Sequence, residues 1–143
     1  MEIVRTLDVD PDPAQVFAYL SDFTTSTEWD AGTVRTTREP GDGGGGTRYR
    51  NISRFRGRET ELTYVTEELT PPRRLRFRGE NNTVIADDTI TLEPTASGGT
   101  RVHYRAEFRF RGLARLAAPF LGRAFEQLGD DAEASLRAAL ERL

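Results

Sequence analysis

In the stretch TRYRNISRFRGRETELTYVTEE, residues 47–68, charged and uncharged side chains alternate over much of the length. Arginines recur at alternate positions in its first half, and the positions between them hold Tyr49, Asn51, Ser53 and Phe55. An alternation with a period of two is typical of a β-strand that has one covered side and one solvent-facing side. Gly57 lies between the two halves, where a hairpin turn is expected. The stretch therefore predicts two antiparallel strands that keep their arginines outside.

The same alternation continues to residue 110 and predicts a larger antiparallel sheet. In TRVHYRAEFRF, residues 100–110, Tyr104 and Phe108 fall on the inner side, and His103 falls on the outer side among arginines. A two-residue turn at Gly57-Arg58 would place Arg54 opposite Glu61 in the first hairpin. Opposite charges across the outer face would then stabilise the sheet, while the inner face stays largely apolar.

The residues before residue 47 predict a first strand, two short helices and a second strand near 32–39, followed by a glycine-rich loop. EIVRTLDV, residues 2–9, is rich in β-branched residues and predicts the first strand. Asp12 suits a helix N-cap, with Pro13 at the first helical position and Gln15 two residues later. Ser21 and Asp22 interrupt this helix, so a second short helical segment is expected to end near Trp29.

The residues after Gly112 predict one long helix over 113–142. Apolar residues recur there at spacings of three and four, as they do on the buried side of an amphipathic helix. This stripe includes Phe120, Ala124 and Leu128. Pro119 removes a backbone hydrogen bond, so the sequence also predicts a kink or a later start of the helix.

Composition excludes several classes of function. The chain has 143 residues, a net charge of −3 and no cysteine, which argues against general nucleic-acid binding, thiol chemistry and disulfide frameworks. No apolar run reaches the roughly 20 residues that span a bilayer, so we expect no integral membrane association. We also expect a cytoplasmic location and no cofactor. With one outward histidine and no carboxylates at ligand spacing, we expect no metal site.

The order strand, two short helices, six strands and long C-terminal helix resembles the helix-grip fold of the SRPBCC superfamily, which includes START-like and plant pollen allergen-like domains. Within it, the chain is most similar to the bacterial polyketide cyclase/dehydrase family. The resemblance rests on DPDPAQVFAYLSDF at 10–23 with Trp29, EELTPPRRLRF at 67–77, GGTRV at 98–102 and RGLARLAAPFLGRAFEQ at 111–127.

This resemblance covers nearly the whole chain and implies a single α+β domain over residues 1–143. It implies a curved seven-stranded antiparallel sheet wrapped around the long C-terminal helix, with a deep cavity between them. Members bind lipids, polyketides, hormones or other apolar small molecules, and some catalyse cyclisation or dehydration. A fold by itself does not assign the function.

The inner face of the sheet, the second short helix and the long helix supply the predicted ligand-binding residues. They are Trp29, Tyr49, Asn51, Ser53, Tyr64, Thr66, Phe77, Asp88, Tyr104, Phe108, Phe120, Ala124 and Leu128. Apolar walls with a few polar groups are typical of small-molecule pockets. Trp29 has two open interpretations: it lines this pocket, or it packs as a plug at the rim against the long helix.

Asp88 is the leading candidate for chemistry, with Tyr49 or Tyr104 as its partner. A carboxyl group that faces an apolar interior has a raised pKa, which suits a general acid or base. The alternative is a solvated or locally hydrogen-bonded Asp88 without a chemical role. Likewise, the tyrosine hydroxyls either contact a ligand or serve only the core.

Three functions remain open from the sequence. The first is binding of an apolar or aromatic small molecule, lipid-like or polyketide-like, in an internal cavity. The second is a polyketide cyclase or dehydratase type of enzyme that uses Asp88 with Tyr49 or Tyr104 for proton transfer. The third is a protein-interaction module. The oligomeric state, monomer or homodimer, is also open.

Overall fold

The computed structural model describes residues 1–41 and 44–143. Its strands are β1 (Glu2–Val9), β2 (Thr33–Arg38), β3 (Arg48–Phe55), β4 (Arg58–Thr70), β5 (Arg74–Glu80), β6 (Val84–Pro94) and β7 (Thr100–Phe110). They form one antiparallel sheet in the order β1-β7-β6-β5-β4-β3-β2. Helices α1 (Pro13–Ser21) and α2 (Ser26–Trp29) lie between β1 and β2, and α3 (Gly122–Glu141) follows β7. This is the predicted helix-grip arrangement.

The two faces of the sheet are separated as the alternation predicts. On the inner face, Tyr49, Phe77 and Val102 have no solvent-exposed surface. On the outer face, Arg101 of β7 pairs with Asp8 of β1 at 2.8 Å. Exposed pairs of this kind contribute about 1 kcal/mol or less each, so burial of the inner face is the main source of stability.

The pairing inside the first predicted hairpin differs from the prediction by two residues. The turn lies at Arg56-Gly57, whose φ angles of 52° and 80° are both positive. Positive φ at both central residues is the geometry of a type I′ turn, whose twist matches that of the strands. Arg54 therefore pairs with Glu59 and not with Glu61. Because the shift is an even number of residues, each side chain keeps its predicted face.

One side-chain cap starts α1, and a second starts the 3₁₀ turn that precedes α2. The carboxylate Oδ1 of Asp12 accepts the backbone N–H of Gln15 at 2.8 Å, and Pro13 is the first helical residue, as predicted. Asp22 Oδ1 accepts the N–H of Thr24 at 3.0 Å. This second cap starts a 3₁₀ turn over Phe23–Thr25 that leads directly into α2. At the predicted break after α1, a new helical segment therefore begins, and Asp22 caps it.

The single helix predicted over 113–142 is wrong for its first part. Two 3₁₀ turns, Gly112–Leu116 and Ala118–Phe120, precede α3. Pro119 lies in the second turn, so the late start that it predicts is confirmed. No helix in the described ranges is long and apolar enough to cross a lipid bilayer.

Helix α3 packs against β1 and α2 along one side. Leu136, Ala139 and Leu140 in its C-terminal half are almost fully buried. At Gly129 the helix approaches β1 so closely that an added Cβ would lie 2.6 Å from the Arg5 guanidinium. The N-terminal half of α3 faces a cavity instead.

Candidate functional site

A cavity of about 290 Å³ lies between the inner face of the sheet and the N-terminal half of α3. Its wall on the α3 side is aromatic. The ring of Phe125 lies 5.1 Å from that of Phe55, 4.9 Å from that of Phe108 and 5.9 Å from that of Phe110, measured between ring centres. Leu62 and Ala86 of the sheet also line the cavity, which is therefore mostly apolar.

Polar groups enter the cavity from the sheet and from the loop after α2. They are the side chains of Asp30, Ser53, Tyr64, Asp88 and Tyr104. Sparse polar groups in an apolar pocket fix the orientation of a ligand. Their arrangement follows from the pairing of the strands, which places Asp88 of β6 between Phe77 of β5 and Ala106 of β7.

Asp88 is buried, with only 4% of its surface exposed. Burial raises its pKa well above the usual value for an aspartic acid, and the charges of Asp30 and Asp87 raise it further. Within the described residues its carboxyl group forms no hydrogen bond. No local hydrogen bond to Asp88 is therefore present among the described residues, and its oxygens are available to a molecule in the cavity.

Asp30 is a second carboxyl group on the cavity wall, and it is absent from the predicted set. Its Oδ1 accepts the N–H of Gly32 at 3.0 Å, and its Oδ2 accepts the hydroxyl of Thr33 at 2.9 Å. Burial raises its pKa, and these two hydrogen bonds partly oppose the increase. The residue lies in the irregular turn between α2 and β2, where strand alternation gives no sign of which way a side chain points.

Tyr64 and Tyr104 place two hydroxyl-bearing rings near Asp88. An added Cβ at Gly79 would lie 2.5 Å from the Tyr64 ring, so this ring covers the glycine on the neighbouring strand β5. The Tyr104 ring packs edge-on against Trp29, with ring centres 6.1 Å apart. Burial raises the pKa of each tyrosine well above its usual value, and the charge of Asp88 is the next largest cause. Both hydroxyls therefore remain neutral donors.

Six of the predicted ligand residues line the cavity, and seven do not. The six are Ser53, Tyr64, Asp88, Tyr104, Phe108 and Leu128. The residues that lie away from it are Trp29, Tyr49, Asn51, Thr66, Phe77, Phe120 and Ala124. The reasons differ between the sheet and the helix.

Asn51 faces inward but is fully engaged inside the protein. Its side-chain Nδ2 donates to the hydroxyls of Thr36 at 2.9 Å and Thr33 at 3.2 Å, and its Oδ1 accepts from Ser53. Ser26 of α2 joins this group through the Thr36 hydroxyl at 2.8 Å. Asn51 therefore ties β3 to β2 and α2 and does not face the cavity.

Trp29, Tyr49 and Phe77 form an aromatic core together with Phe23. The Phe23 ring centre lies 6.2 Å from that of Trp29, 5.6 Å from that of Tyr49 and 4.5 Å from that of Phe77. Thr66 is buried near the same group, opposite Phe77. Since Phe23 fills this end of the interior, the cavity is confined to the other end. Trp29 is thus a core residue that does not line the cavity, whereas its neighbours Asp30 and Tyr104 do.

Phe120 and Ala124 are misplaced by the predicted helix. Phe120 belongs to a 3₁₀ turn and is 84% exposed, so it does not enclose the cavity. The cavity side of α3 is formed by Phe125, Leu128 and Ala132. Their spacings of three and four residues place them on one side of the helix. Leu128 was predicted on this side, whereas Ala124 was predicted there and does not line the cavity.

Basic and hydroxyl side chains surround the open end of the cavity. Arg54 and Arg58 come from the β3–β4 hairpin, and Thr83 comes from the turn between β5 and β6. Arg54 is paired with Glu59 at 2.9 Å. Within the described residues, Arg58 has no ion-pair partner.

Among the residues that the structure describes, the remaining titratable groups form no second centre. His103 lies on the outer face, as predicted, where its ring nitrogens contact the Thr6 hydroxyl at 3.2 Å and the Glu93 carboxylate at 2.9 Å. In the described part of the chain, no group of three histidine or acidic side chains is placed to hold a metal ion. Chemistry at the cavity would therefore rest on Asp88, Asp30 and the two tyrosines.

Comparisons with known proteins agree with this architecture. Residues 1–141 match the model of a family described as polyketide cyclase / dehydrase and lipid transport. No curated protein matches the chain in sequence.

Solved structures similar to the chain include the ZhuI aromatase/cyclase from Streptomyces sp. R1128. It has a TM-score of 0.81 and 15% identity, and the match covers 99% of this chain and 94% of that one. A START superfamily protein from Mycobacterium smegmatis has a TM-score of 0.78 and 10% identity, with coverages of 99% and 97%. The di-domain aromatase/cyclase BexL from the BE-7585A biosynthetic pathway has a TM-score of 0.72 and 20% identity, with coverages of 96% and 45%.

At these identities the structural neighbours establish the fold alone, while the family model extends over nearly every residue of the sequence. The chain belongs to the polyketide cyclase/dehydrase and lipid transport family.

Proposed function

We propose that the chain binds a small, largely apolar molecule that carries a carbonyl or hydroxyl oxygen, in the cavity between the sheet and α3. The observation that supports this most directly is the buried Asp88 on the wall of a mostly apolar cavity. An oxygen of the ligand would satisfy a carboxyl group that has no hydrogen-bond partner among the described residues, and the apolar walls would supply most of the affinity.

The size of the cavity limits the ligand. A volume of about 290 Å³ lies at the lower end of the roughly 300–1,000 Å³ of small-molecule pockets. The three rings around Phe125 suit contact with a flat or aromatic body. A compact aromatic molecule therefore fits better than a long extended chain.

Filling the cavity tests this proposal. We expect Ala86→Leu to occupy part of the void and to weaken binding of the apolar fluorescent probe 1,8-anilinonaphthalenesulfonate at least several-fold, because Ala86 lines the cavity and is 1% exposed. Ala138→Leu on the exposed side of α3 is the matched control. Equal probe affinity in all three proteins would contradict binding at this cavity. Separately, native mass spectrometry of the purified wild-type protein would identify any molecule that stays bound during purification.

A second candidate is an enzyme of the cyclase or dehydratase type. Two carboxyl groups, Asp30 and Asp88, share the cavity with the hydroxyls of Tyr64 and Tyr104, which favours proton transfer. Ionised Asp88 would take a proton from the carbon next to a substrate carbonyl. The electron pair left on that carbon would form an enolate, whose oxygen the Tyr104 hydroxyl would stabilise by donating a hydrogen bond. Tyr49, which lies away from the cavity, has no part in this scheme.

Turnover of a β-polyketone substrate separates the two candidates. If Asp88 transfers the proton, Asp88→Asn retains probe binding and loses most of the turnover, since an amide cannot accept the proton. Tyr104→Phe should lower turnover less, because Tyr64 remains. Full activity in Asp88→Asn would remove Asp88 from the mechanism, and binding without turnover in the wild type would leave the binding function alone. The third function, a protein-interaction module, would be favoured by a filled interior. The cavity between the sheet and α3 gives it no such support.

A further inference from the structure

Residues 111–123 comprise the connection between β7 and α3 and the first two residues of α3, and they expose three large apolar side chains. Leu113 is 85% exposed, Leu116 is 71% exposed and Phe120 is 84% exposed. We call residues 111–123 the mouth segment, because one of them, Ala114, lines the cavity together with Phe110. Clustered apolar side chains on a protein surface mark an interaction site more often than isolated ones do.

Arginines without partners accompany this apolar group. The mouth segment contains Arg111, Arg115 and Arg123 and no acidic residue, although the chain as a whole has a net charge of −3. Arg111 is paired with Glu80 at 2.9 Å. In contrast, Arg115 and Arg123 have no ion-pair partner within the described residues.

The β3–β4 hairpin adds two more free arginines near the same opening. Arg58 lines the cavity, and Arg56 lies in the adjacent turn. Across residues 1–41 and 44–143 neither of them has an ion-pair partner. On the outer face of the sheet, Arg101 and Arg105 are paired with carboxylates, whereas Arg35 and Arg78 form no ion pair among the described residues. Unpaired positive charge is thus found at the open end of the cavity.

We propose that the open end of the cavity docks onto an anionic lipid bilayer, with Leu113, Leu116 and Phe120 inserted at its surface. In such a complex the exposed apolar side chains would contact the acyl chains, and the flanking arginines would contact the anionic headgroups above them. The charge of the segment, opposite to that of the chain as a whole, selects an anionic membrane. The side chains project from short 3₁₀ turns, so they suit shallow insertion.

Docking in this orientation would turn the opening of the cavity towards the membrane. An apolar molecule could then pass between the bilayer and the cavity without crossing water, which is energetically costly for apolar surface. The docking itself does not depend on the proposed ligand, because the mouth segment is exposed whether the cavity is filled or empty.

Vesicle co-sedimentation tests the proposal. We expect the wild type to bind vesicles of phosphatidylcholine with 30% phosphatidylglycerol (about one third anionic lipid, as a working composition), and binding should fall as salt is raised. Phe120→Ser should reduce the partition coefficient about tenfold, from the loss of one inserted aromatic side chain. Arg115→Gln should reduce it about fivefold.

Matched controls are available on other surfaces. Val4 on β1 is 52% exposed, and Val4→Ser should leave vesicle binding unchanged. Arg73 is exposed in the turn between β4 and β5, at the opposite end of β4 from the β3–β4 hairpin, and Arg73→Gln should change binding less than Arg115→Gln does. All four positions are exposed, so their substitutions should not impair folding, and circular dichroism would verify this.

Three results would overturn the proposal. The first is no binding to anionic vesicles at low salt. The second is equal binding to vesicles of pure phosphatidylcholine. The third is a wild-type dimer, seen by analytical ultracentrifugation, that Phe120→Ser converts to a monomer, since the apolar group would then bind a second copy of the chain. Because probe binding in the cavity is measured separately, failure here is distinguishable from failure of the proposed function.

Discussion

Gly79→Ala should destabilise the protein by about 1–3 kcal/mol, although alanine is normally no worse than glycine in a strand. The added Cβ would lie 2.5 Å from the ring of Tyr64. Ordinary contacts between carbon atoms are about 3.5–4.0 Å, so the ring or the strand must move by roughly 1 Å. Both are packed in the interior, where such adjustments are costly.

Urea denaturation measures this effect. With a slope of about 2 kcal/mol per M urea, the midpoint should fall by roughly 0.5–1.5 M. Gly122→Ala is the matched control, because nothing lies within 4 Å of its added Cβ at the start of α3. That variant should be unchanged or more stable by up to about 1 kcal/mol.

A double substitution tests whether Tyr64 is the cause. Combining Gly79→Ala with Tyr64→Leu should recover much of the loss that Gly79→Ala causes alone, which gives a coupling energy of at least about 1 kcal/mol. The single Gly79→Ala variant should also weaken probe binding, since a displaced Tyr64 ring changes the cavity wall. If Gly79→Ala is as stable as the wild type, the Tyr64 ring does not cover Gly79 and the reasoning about this wall fails.

Three further outcomes are expected. The raised pKa of Asp88 means that the folded state holds this proton more tightly than the unfolded state, so wild-type stability falls as pH rises from about 4 to the folded pKa, by about 1.4 kcal/mol per unit of pKa difference. Asp88→Asn should therefore match the wild type below about pH 4 and exceed it at pH 8 in urea denaturation, and a difference independent of pH would refute this. Phe125→Ala should lower stability by about 3–5 kcal/mol, because three aromatic contacts are lost, whereas Leu116→Ala at an exposed site should change it little. Asp87→Asn should cost about 1–3 kcal/mol in thermal unfolding, since the buried carboxylate accepts from Arg76 at 3.4 Å and Arg109 at 3.2 Å.

The fold and the inner face were predictable because strand alternation has a period of two. In the first hairpin, placing the turn at Gly57-Arg58 gives Arg54 the wrong cross-strand partner. The predicted face of Arg54 is still correct, because the error is an even number of residues. The turn itself was not predictable, since a type I′ geometry requires positive φ at Arg56, which an arginine rarely adopts.

The candidate site was predictable mainly where it lies on strands, since Leu128 is the one predicted residue of α3 that lines the cavity. Asp88, Tyr64 and Tyr104 follow from alternation, and the structure brings them to one cavity. Asp30 was missed because it lies in a turn, and Phe125 was missed because the helix was started too early. Asn51 faces inward as predicted, but the sequence does not reveal that its hydrogen bonds are satisfied by Thr33, Thr36 and Ser53.

The uneven packing of α3 has a consequence for how the molecule opens. Its last turns rest on a filled interior at Leu136 and Leu140, whereas its first turns line the cavity and contact the sheet there through the single ring of Phe125. Local unfolding requires least free energy where few apolar contacts are lost. Fluctuations that lift the start of α3, while its end stays anchored, would therefore widen the entrance without disturbing the rest of the protein.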